Sequence, residues 1–277
     1  MKTKSLRNLI LIAMVFAMPS CLSVSESELN TAGSSSNASL LKPIAASYNR
    51  TCVLSQEGGV KCWGHNDEGE LGQGDKVARG ANVGDMTNMP FIDLGTGRSA
   101  KSVAVADWHV CAILDNDKVK CWGWNGNGEL GYGDTTDRGD DPNEMGDNLP
   151  YVDLGTNRKA KAISAAGSHT CVILDNNTLK CWGYNQDGEL GYEDLNHRGD
   201  AASEMGDDLP VVNLGTGRTA KYVTVAGHHT CAILDNDKVK CWGHNGFGSL
   251  GVGHSDGRGH NTGHMGDNLE YADLGTG

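Results

Sequence analysis

The 277-residue sequence predicts an all-β fold, a β-propeller whose blades are four-stranded antiparallel sheets. Three observations support this prediction. From about residue 41 the chain repeats with a period of 59 or 60 residues, each of the four copies has four short extended segments, and no segment keeps an apolar period of 3.6 residues. Four strands in a repeat of this length are typical of propeller blades stacked around an axis.

The first element is an N-terminal export signal over residues 1–20. Lys2, Lys4 and Arg7 precede an uncharged apolar run over residues 9–18, which ends near the small residue Ser20. This run is too short to span a bilayer as a permanent helix. The segment resembles a bacterial lipoprotein signal, in which the cysteine after the small residue, here Cys21, becomes the lipid-modified first residue. We therefore expect an exported protein of the bacterial cell envelope, anchored by lipid only, with the outer membrane as its location on the periplasmic or surface face.

The second element, residues 21–40, is rich in serine and asparagine and has no apolar spacing, which is typical of a flexible tether. The propeller domain then extends over residues 41–277. Its four copies occupy about residues 41–97, 98–157, 158–217 and 218–277.

Each copy contains a β-hairpin bracketed by two cysteines. In the second copy, the turn residues 115–117 separate two short apolar runs, so that Cys111 lies opposite Cys121 and Ile113 opposite Val119. Directly opposed residues of antiparallel strands are close enough for a disulfide. Eight of the nine cysteines therefore pair as Cys52–Cys62, Cys111–Cys121, Cys171–Cys181 and Cys231–Cys241. Lipidation of Cys21 would leave no odd thiol, and an oxidising compartment would preserve the four bonds.

Two further extended segments complete each copy. In the second copy the four predicted strands are residues 101–106, 109–114, 119–122 and 151–154. The first is rich in small residues, so we place it innermost, where a propeller is most crowded. Two markers recur near the end of each copy: a Gly-Asp pair at residues 84–85, 146–147, 206–207 and 266–267, and Leu-Gly-Thr beginning at residues 94, 154, 214 and 274.

These motifs together resemble the regulator of chromosome condensation repeat family. The order is a small-residue strand, His-x-Cys-Ala-x-Leu, an Asp-rich turn, Val-Lys-Cys-Trp-Gly, and Asn-x-x-Gly-Glu-Leu-Gly, and it covers residues 41–277. The resemblance implies a propeller, typically of seven blades. Because only four copies are present, either a four-bladed ring closes on itself or the sequence represents an incomplete ring.

Several repeated residues invite a chemical interpretation. His109, His169 and His229 hold equivalent places two residues before a cysteine, and we expect a structural role rather than a metal site. The Asn- and Gly-rich loops such as residues 125–129 are too short for a full calcium ligand set, so we expect turns that need glycine at positive φ. The tryptophan of Cys-Trp-Gly is expected to pack between blades. Trp108, Trp124 and Tyr184 lie outside that motif and are candidates for an exposed binding rim.

The charge balance limits the possible partners. Removing residues 1–20, which carry three positive charges, lowers the formal charge from −12 to about −15. Since this acidic chain repels phosphate backbones, we expect no nucleic-acid partner. No catalytic constellation stands out from the repeated background, and we predict no enzyme activity, cofactor or metal. The predicted function is a binding module for an unidentified protein or glycan. Three alternatives stay open: guanine-nucleotide exchange as the resemblance implies, inhibition of an enzyme by a secreted protein, and a propeller lyase or hydrolase.

Overall fold

The computed structural model describes residues 44–275, which form four three-stranded antiparallel sheets. The strands are β1 (Ile44–Ser47), β2 (Arg50–Leu54), β3 (Val60–Gly64), β4 (Ala100–Val105), β5 (His109–Leu114), β6 (Val119–Gly123), β7 (Ala160–Ala166), β8 (His169–Leu174), β9 (Leu179–Gly183), β10 (Ala220–Val225), β11 (His229–Leu234) and β12 (Val239–Gly243). One short helix, α1 (Asp85–Asn88), and two 3₁₀ turns, Gly146–Asn148 and Gly266–Asn268, complete the regular structure. In this part of the chain no helix is long and apolar enough to cross a bilayer. The predicted signal, the tether and Cys21 lie outside the described residues.

Each blade is built on the predicted hairpin. The second strand pairs with the first on one side and with the third on the other. Cys111 lies opposite Cys121 and Ile113 opposite Val119, which confirms the predicted register. All four blades carry the predicted disulfide, with the paired Cα atoms 4.1 Å apart.

The prediction of a fourth strand in each blade is wrong. In the second copy residues 151–154 run beside β6, but only the Val152 N–H donates to it, at 2.9 Å from the Val119 carbonyl. The Asp153 carbonyl instead accepts the Gly206 N–H at 3.1 Å, in the next copy. The other end of the β6 edge pairs with Arg138 through an isolated bridge to Gly123. Two separate segments thus occupy the fourth position, because a long acidic loop lies between them in the sequence.

The Cys-Trp-Gly tryptophans lie between blades, as predicted. Trp122, Trp182 and Trp242 are fully buried. Each indole N–H donates to a carbonyl of the preceding copy, namely that of Glu70 at 3.0 Å, Glu129 at 2.9 Å and Glu189 at 2.8 Å. The small-residue first strands also meet across a blade boundary, where Ala104, Ala106 and Ala165 share one apolar cluster. Alanine leaves the room that neighbouring blades need to approach closely here.

The two markers near the end of each copy form a clasp to the next copy. The Thr96 N–H donates to Asp147 Oδ1 at 2.9 Å and the Thr96 hydroxyl to Asp147 Oδ2. Equivalent clasps join Thr156 to Asp207 and Thr216 to Asp267.

The first Gly-Asp pair does not belong to this set. Asp85 accepts the backbone N–H groups of Gly80 and Asn82, both at 2.9 Å. That is the role of Glu144 in the second copy, where it accepts from Gly139 and Asp141. The grouping of residues 84–85 with the other Gly-Asp pairs was therefore wrong, because the same dipeptide occurs in two different turns.

Residues 44–275 form an open arc of four blades rather than a closed ring. Strand contacts join consecutive blades along the chain. The outward faces of the two end blades stay uncovered: Ile233 of the fourth blade is 37 % exposed, whereas its equivalents Ile113 and Ile173 are 3 % and 0 % exposed. On the first blade, Trp63 is half-buried for the same reason.

Candidate functional site

One face of the arc carries an aromatic or imidazole side chain from every blade. The residue three places after the second cysteine follows the third strand, and its backbone N–H donates to a carbonyl in the turn between the first and second strands. The four bonds are His65 to Asn49 at 3.0 Å, Trp124 to Trp108 at 2.9 Å, Tyr184 to Ser168 at 2.9 Å and His244 to His228 at 2.8 Å. Two sequence-distant positions per blade are therefore held side by side.

Ring contacts join the first blade to the second and the third blade to the fourth. The Trp108 ring centroid lies 6.2 Å from those of both Tyr48 and His65. A second run of rings leads from Tyr184 to His228 at 6.5 Å, and from His228 to His244 at 6.3 Å. Phe247 continues it, 6.3 Å from His244 and 97 % exposed. We name this set the aromatic rim: Tyr48, His65, Trp108, Trp124, Tyr184, His228, His244 and Phe247.

The structure places the three predicted rim residues in this set. Trp108 is 38 % exposed, and Trp124 and Tyr184 are half-buried. The Trp124 ring lies against Gly126, since a Cβ on that glycine would lie 2.3 Å from Trp124 Cζ2. The other five members were missed. A signal was available for two of these five, His65 and His244, since an aromatic or imidazole residue recurs three places after the second cysteine in all four copies.

A buried glutamate lies below the rim in each of the first three blades. Glu70, Glu129 and Glu189 are fully buried. In each, Oε2 accepts the backbone N–H of the residue two places earlier, at 3.0, 2.8 and 2.8 Å respectively. The fourth blade has Ser249 at this position. One oxygen of each carboxyl is thus used to shape its own loop.

The other carboxyl oxygen has a different environment in each blade. Glu70 Oε1 forms a buried ion pair with Arg50. Glu129 Oε1 accepts the Asn127 side-chain amide at 2.9 Å. Glu189 Oε1 is buried without a hydrogen-bond partner among the described residues. Burial raises the pKa of both Glu129 and Glu189 to about 7, because the ionised form loses hydration.

Two of the three repeated histidines, His109 and His169, connect neighbouring blades, whereas His229 in the fourth blade is half-buried. Nε2 of His109 lies 2.7 Å from the Thr170 hydroxyl, and that of His169 lies 2.8 Å from Thr230. Both hydroxyls donate onward to carbonyls, those of Glu129 and Glu189. Because each hydroxyl has one proton, the histidine Nε2–H must be the donor, which leaves Nδ1 unprotonated and without a partner. Burial lowers the pKa of His109 and His169 to about 3, so both are neutral.

The first blade has Arg50 in place of this histidine. Its guanidinium donates to the carbonyls of Ala106 at 3.0 Å and Asp107 at 3.2 Å in the second blade. The ion pair with Glu70 balances its charge inside the blade boundary. The structure thus gives this repeated position a role in joining blades.

The loops after the third strands are turns closed by their own side chains. The Asn125 amide donates to the carbonyls of Asp134 and Thr136, and its oxygen accepts the Leu130 N–H. Gly128 has φ +80°, the left-handed region in which glycine is unstrained. This geometry agrees with the turn interpretation.

Comparisons with known proteins identify the repeat. The family model for the regulator of chromosome condensation (RCC1) repeat matches residues 44–70, 100–129, 160–189 and 227–249. The sequence is 28 % identical over 218 residues to the ultraviolet-B receptor UVR8 of Arabidopsis thaliana, covering 78 % of this chain and 44 % of the receptor. It is 25 % identical over 206 residues to the probable E3 ubiquitin-protein ligase HERC3 of Homo sapiens, covering 73 % and 17 %. The chain thus spans less than half of either relative.

Solved structures agree on the fold. Yeast RCC1 (Prp20), in a complex with Kap60, aligns with a TM-score of 0.58 at 20 % identity, covering 79 % of this chain and 47 % of the yeast chain. A second structure of Prp20p, from Saccharomyces cerevisiae, aligns with a TM-score of 0.57 at 19 % identity. At these identities the likeness concerns the propeller fold alone.

Proposed function

We propose, because this chain is an RCC1-repeat protein, that it is a protein-binding propeller whose aromatic rim contacts the partner. The carrying observation is the rim itself, which places an aromatic or imidazole ring from every blade on one face. Tryptophan and tyrosine are enriched among the residues that dominate protein interfaces. A rigid strand scaffold below them lowers the entropy lost on binding.

The surroundings of the rim favour a protein partner. Acidic side chains accompany the rings: Asp67 lies 3.1 Å from His65 and Asp187 lies 3.2 Å from His228. Rings with charged neighbours match the mixed apolar and polar character of protein interfaces. The yeast RCC1 structures also concern protein complexes: one is bound to Kap60, and the other addresses binding to Gsp1p and histones. A glycan is the alternative ligand, and we include it as an outcome of the test.

We further propose that the propeller acts outside the cytoplasm, lipid-anchored through Cys21 at the bacterial cell envelope. The four hairpin disulfides support this part of the proposal, since such bonds persist in oxidising compartments. The test is metabolic labelling with a fatty-acid analogue. Label is expected on the full chain and absent from Cys21→Ser. Equal label in both would overturn the anchor assignment without affecting the binding proposal.

The rim is tested by photo-crosslinking in the native cell. A photoreactive phenylalanine analogue is placed at position 124 or 184, and at Tyr222 as the matched control, since Tyr222 is exposed but outside the rim. We expect one discrete adduct from positions 124 and 184 and none from 222. The adduct should lose its added mass with protease treatment. Adducts that resist protease but shrink with glycosidases would replace the protein partner by a glycan, and equal adducts from all three positions would refute the rim.

A further inference from the structure

We propose that Asp187, Glu189 and His228 form a zinc-binding site at the boundary of the third and fourth blades. One ligand atom from each residue lies within 4.8 Å of the other two. His228 Nδ1 is 3.2 Å from Asp187 Oδ2 and 3.9 Å from Glu189 Oε1. Two donors held by one tetrahedral zinc ion are about 3.3 Å apart, so small side-chain movements bring all three to ligating distance. The site shares His228 with the aromatic rim, but the inference rests on these three residues and not on the protein-binding proposal.

The second observation is the unpartnered oxygen of Glu189. Its side chain is fully buried, and Oε1 has no hydrogen-bond donor among residues 44–275. A buried polar atom without a partner is costly and rare in native proteins. Glu189 Oε1 lies 3.9 Å from His228 Nδ1. A cation between them would supply the interaction that the protein itself does not.

The other blades show that this arrangement is not a general feature of the repeat. At the boundary of the second and third blades, Asn127 and Ser168 replace the aspartate and the histidine. The Asn127 side-chain amide donates a hydrogen bond to Glu129 Oε1, the oxygen that has no partner in Glu189. At the boundary of the first and second blades, Arg50 occupies that oxygen of Glu70, and Trp108 stands in place of the histidine. Among residues 44–275, the boundary of the third and fourth blades is where one ligand atom each from an aspartate, a glutamate and a histidine lie within 4.8 Å of one another, and there the glutamate oxygen lacks a protein donor.

The donor set favours zinc over calcium. One imidazole nitrogen with two carboxylate oxygens suits zinc, whereas calcium takes six to eight oxygen ligands. Three protein ligands leave the fourth tetrahedral position open. The His228 side chain is 64 % exposed, so that position faces solvent and is accessible to a small ligand or a partner's side chain.

The experiment is calorimetric titration of the full chain with zinc chloride at neutral pH. We expect one equivalent bound, at least about tenfold weaker binding in His228→Ala, and comparable weakening in Glu189→Gln, since even outer residues of metal sites change affinity by this factor. The control is His260→Ala/His264→Ala, because these rings lie 4.6 Å apart and are the competing histidine pair. That variant should bind as the parent does.

A gain-of-site variant makes the test independent of loss of folding. Asn127→Asp/Ser168→His installs the same three ligand types around Glu129 and is expected to add a second equivalent of zinc. Absence of stoichiometric binding by the parent would overturn the proposal. So would unchanged affinity in His228→Ala, or loss of binding in the His260/His264 variant alone.

Discussion

Glu129→Gln is expected to stabilise the protein more and more as the pH rises. The Glu129 carboxyl is fully buried between two blades, and burial raises its pKa from 4.5 to about 7. A group with a raised folded-state pKa binds more protons folded than unfolded between these two values. The stability that it contributes is therefore complete below pH 4.5 and is lost as the pH rises to 7. Glutamine keeps the hydrogen-bonding shape but never ionises.

The magnitude follows from the difference between the two pKa values. Each pKa unit corresponds to 1.36 kcal/mol, so a displacement of about 2.5 units is worth about 3 kcal/mol. The free energy of unfolding of Glu129→Gln, minus that of the parent, should thus increase by about 3 kcal/mol between pH 4.5 and pH 8. The absolute offset depends on how the new amide meets Asn127, whereas the change with pH does not.

The assay is urea denaturation followed by tryptophan fluorescence, with disulfides kept oxidised, at pH 4.5, 6 and 8. Comparing variant with parent at each pH cancels the titration of all other groups, including the buried histidines. A difference in unfolding free energy that stays constant within about 0.5 kcal/mol from pH 4.5 to 8 would refute the reasoning. It would mean that water reaches this carboxylate in the folded protein.

Three further predictions concern the blades and their boundaries. Cys111→Ala/Cys121→Ala should lower the free energy of unfolding by about 2.7 kcal/mol, because the bond closes a loop with a sequence separation of 10, and denaturation of the oxidised proteins measures it. Trp182→Phe should lower the free energy of unfolding by about 1–3 kcal/mol, because the indole bond to the Glu129 carbonyl and part of the packing are lost. Trp63→Phe should lower it by less, since Trp63 is half-buried. Equal losses for the two variants in the same assay would contradict the role of Trp182 in joining two blades. His109 has a folded-state pKa of about 3 against 6.5 unfolded, so its neutral form stabilises the protein above pH 6.5 and that stability is lost as the pH falls, by about 2 kcal/mol at pH 5. When the pH is lowered from 7.5 to 5, the urea midpoint of unfolding should accordingly decrease less for His109→Gln than for the parent.

The hairpins were predictable because their information is local. Two short apolar runs, the Asx-rich turn between them and two cysteines with nine residues between them predict the register of β5 and β6, and the structure has that register. The fourth strand was not predictable in the same way. Residues 151–154 have strand-like alternation, yet the backbone carbonyl of Asp153 accepts a hydrogen bond from Gly206 in the next copy and not from a strand of its own sheet. Alternation alone does not say where the backbone groups find partners.

The candidate site depends on contacts between copies, which a single copy does not reveal. Trp108, Trp124 and Tyr184 could be singled out because they are aromatic residues outside the Cys-Trp-Gly motif. His228 could not be connected with Glu189, 39 residues earlier, because only the stacking of the fourth blade on the third brings them together. The assignment of the Gly-Asp pair at residues 84–85 was wrong for the opposite reason. Its residue types match those of the other three pairs, but its backbone forms a different turn.

The contacts at the blade boundaries have a consequence for how such a chain can evolve. A histidine, a threonine, an indole and a carbonyl recur there at the same offsets, and each clasp reaches only into the adjoining copy. Unequal recombination between two copies of the repeat in the gene would therefore add or delete a whole blade, while every remaining blade would still have compatible neighbours. Copy number is the property that this architecture lets mutation change with least disturbance, and the rim would lengthen or shorten with it.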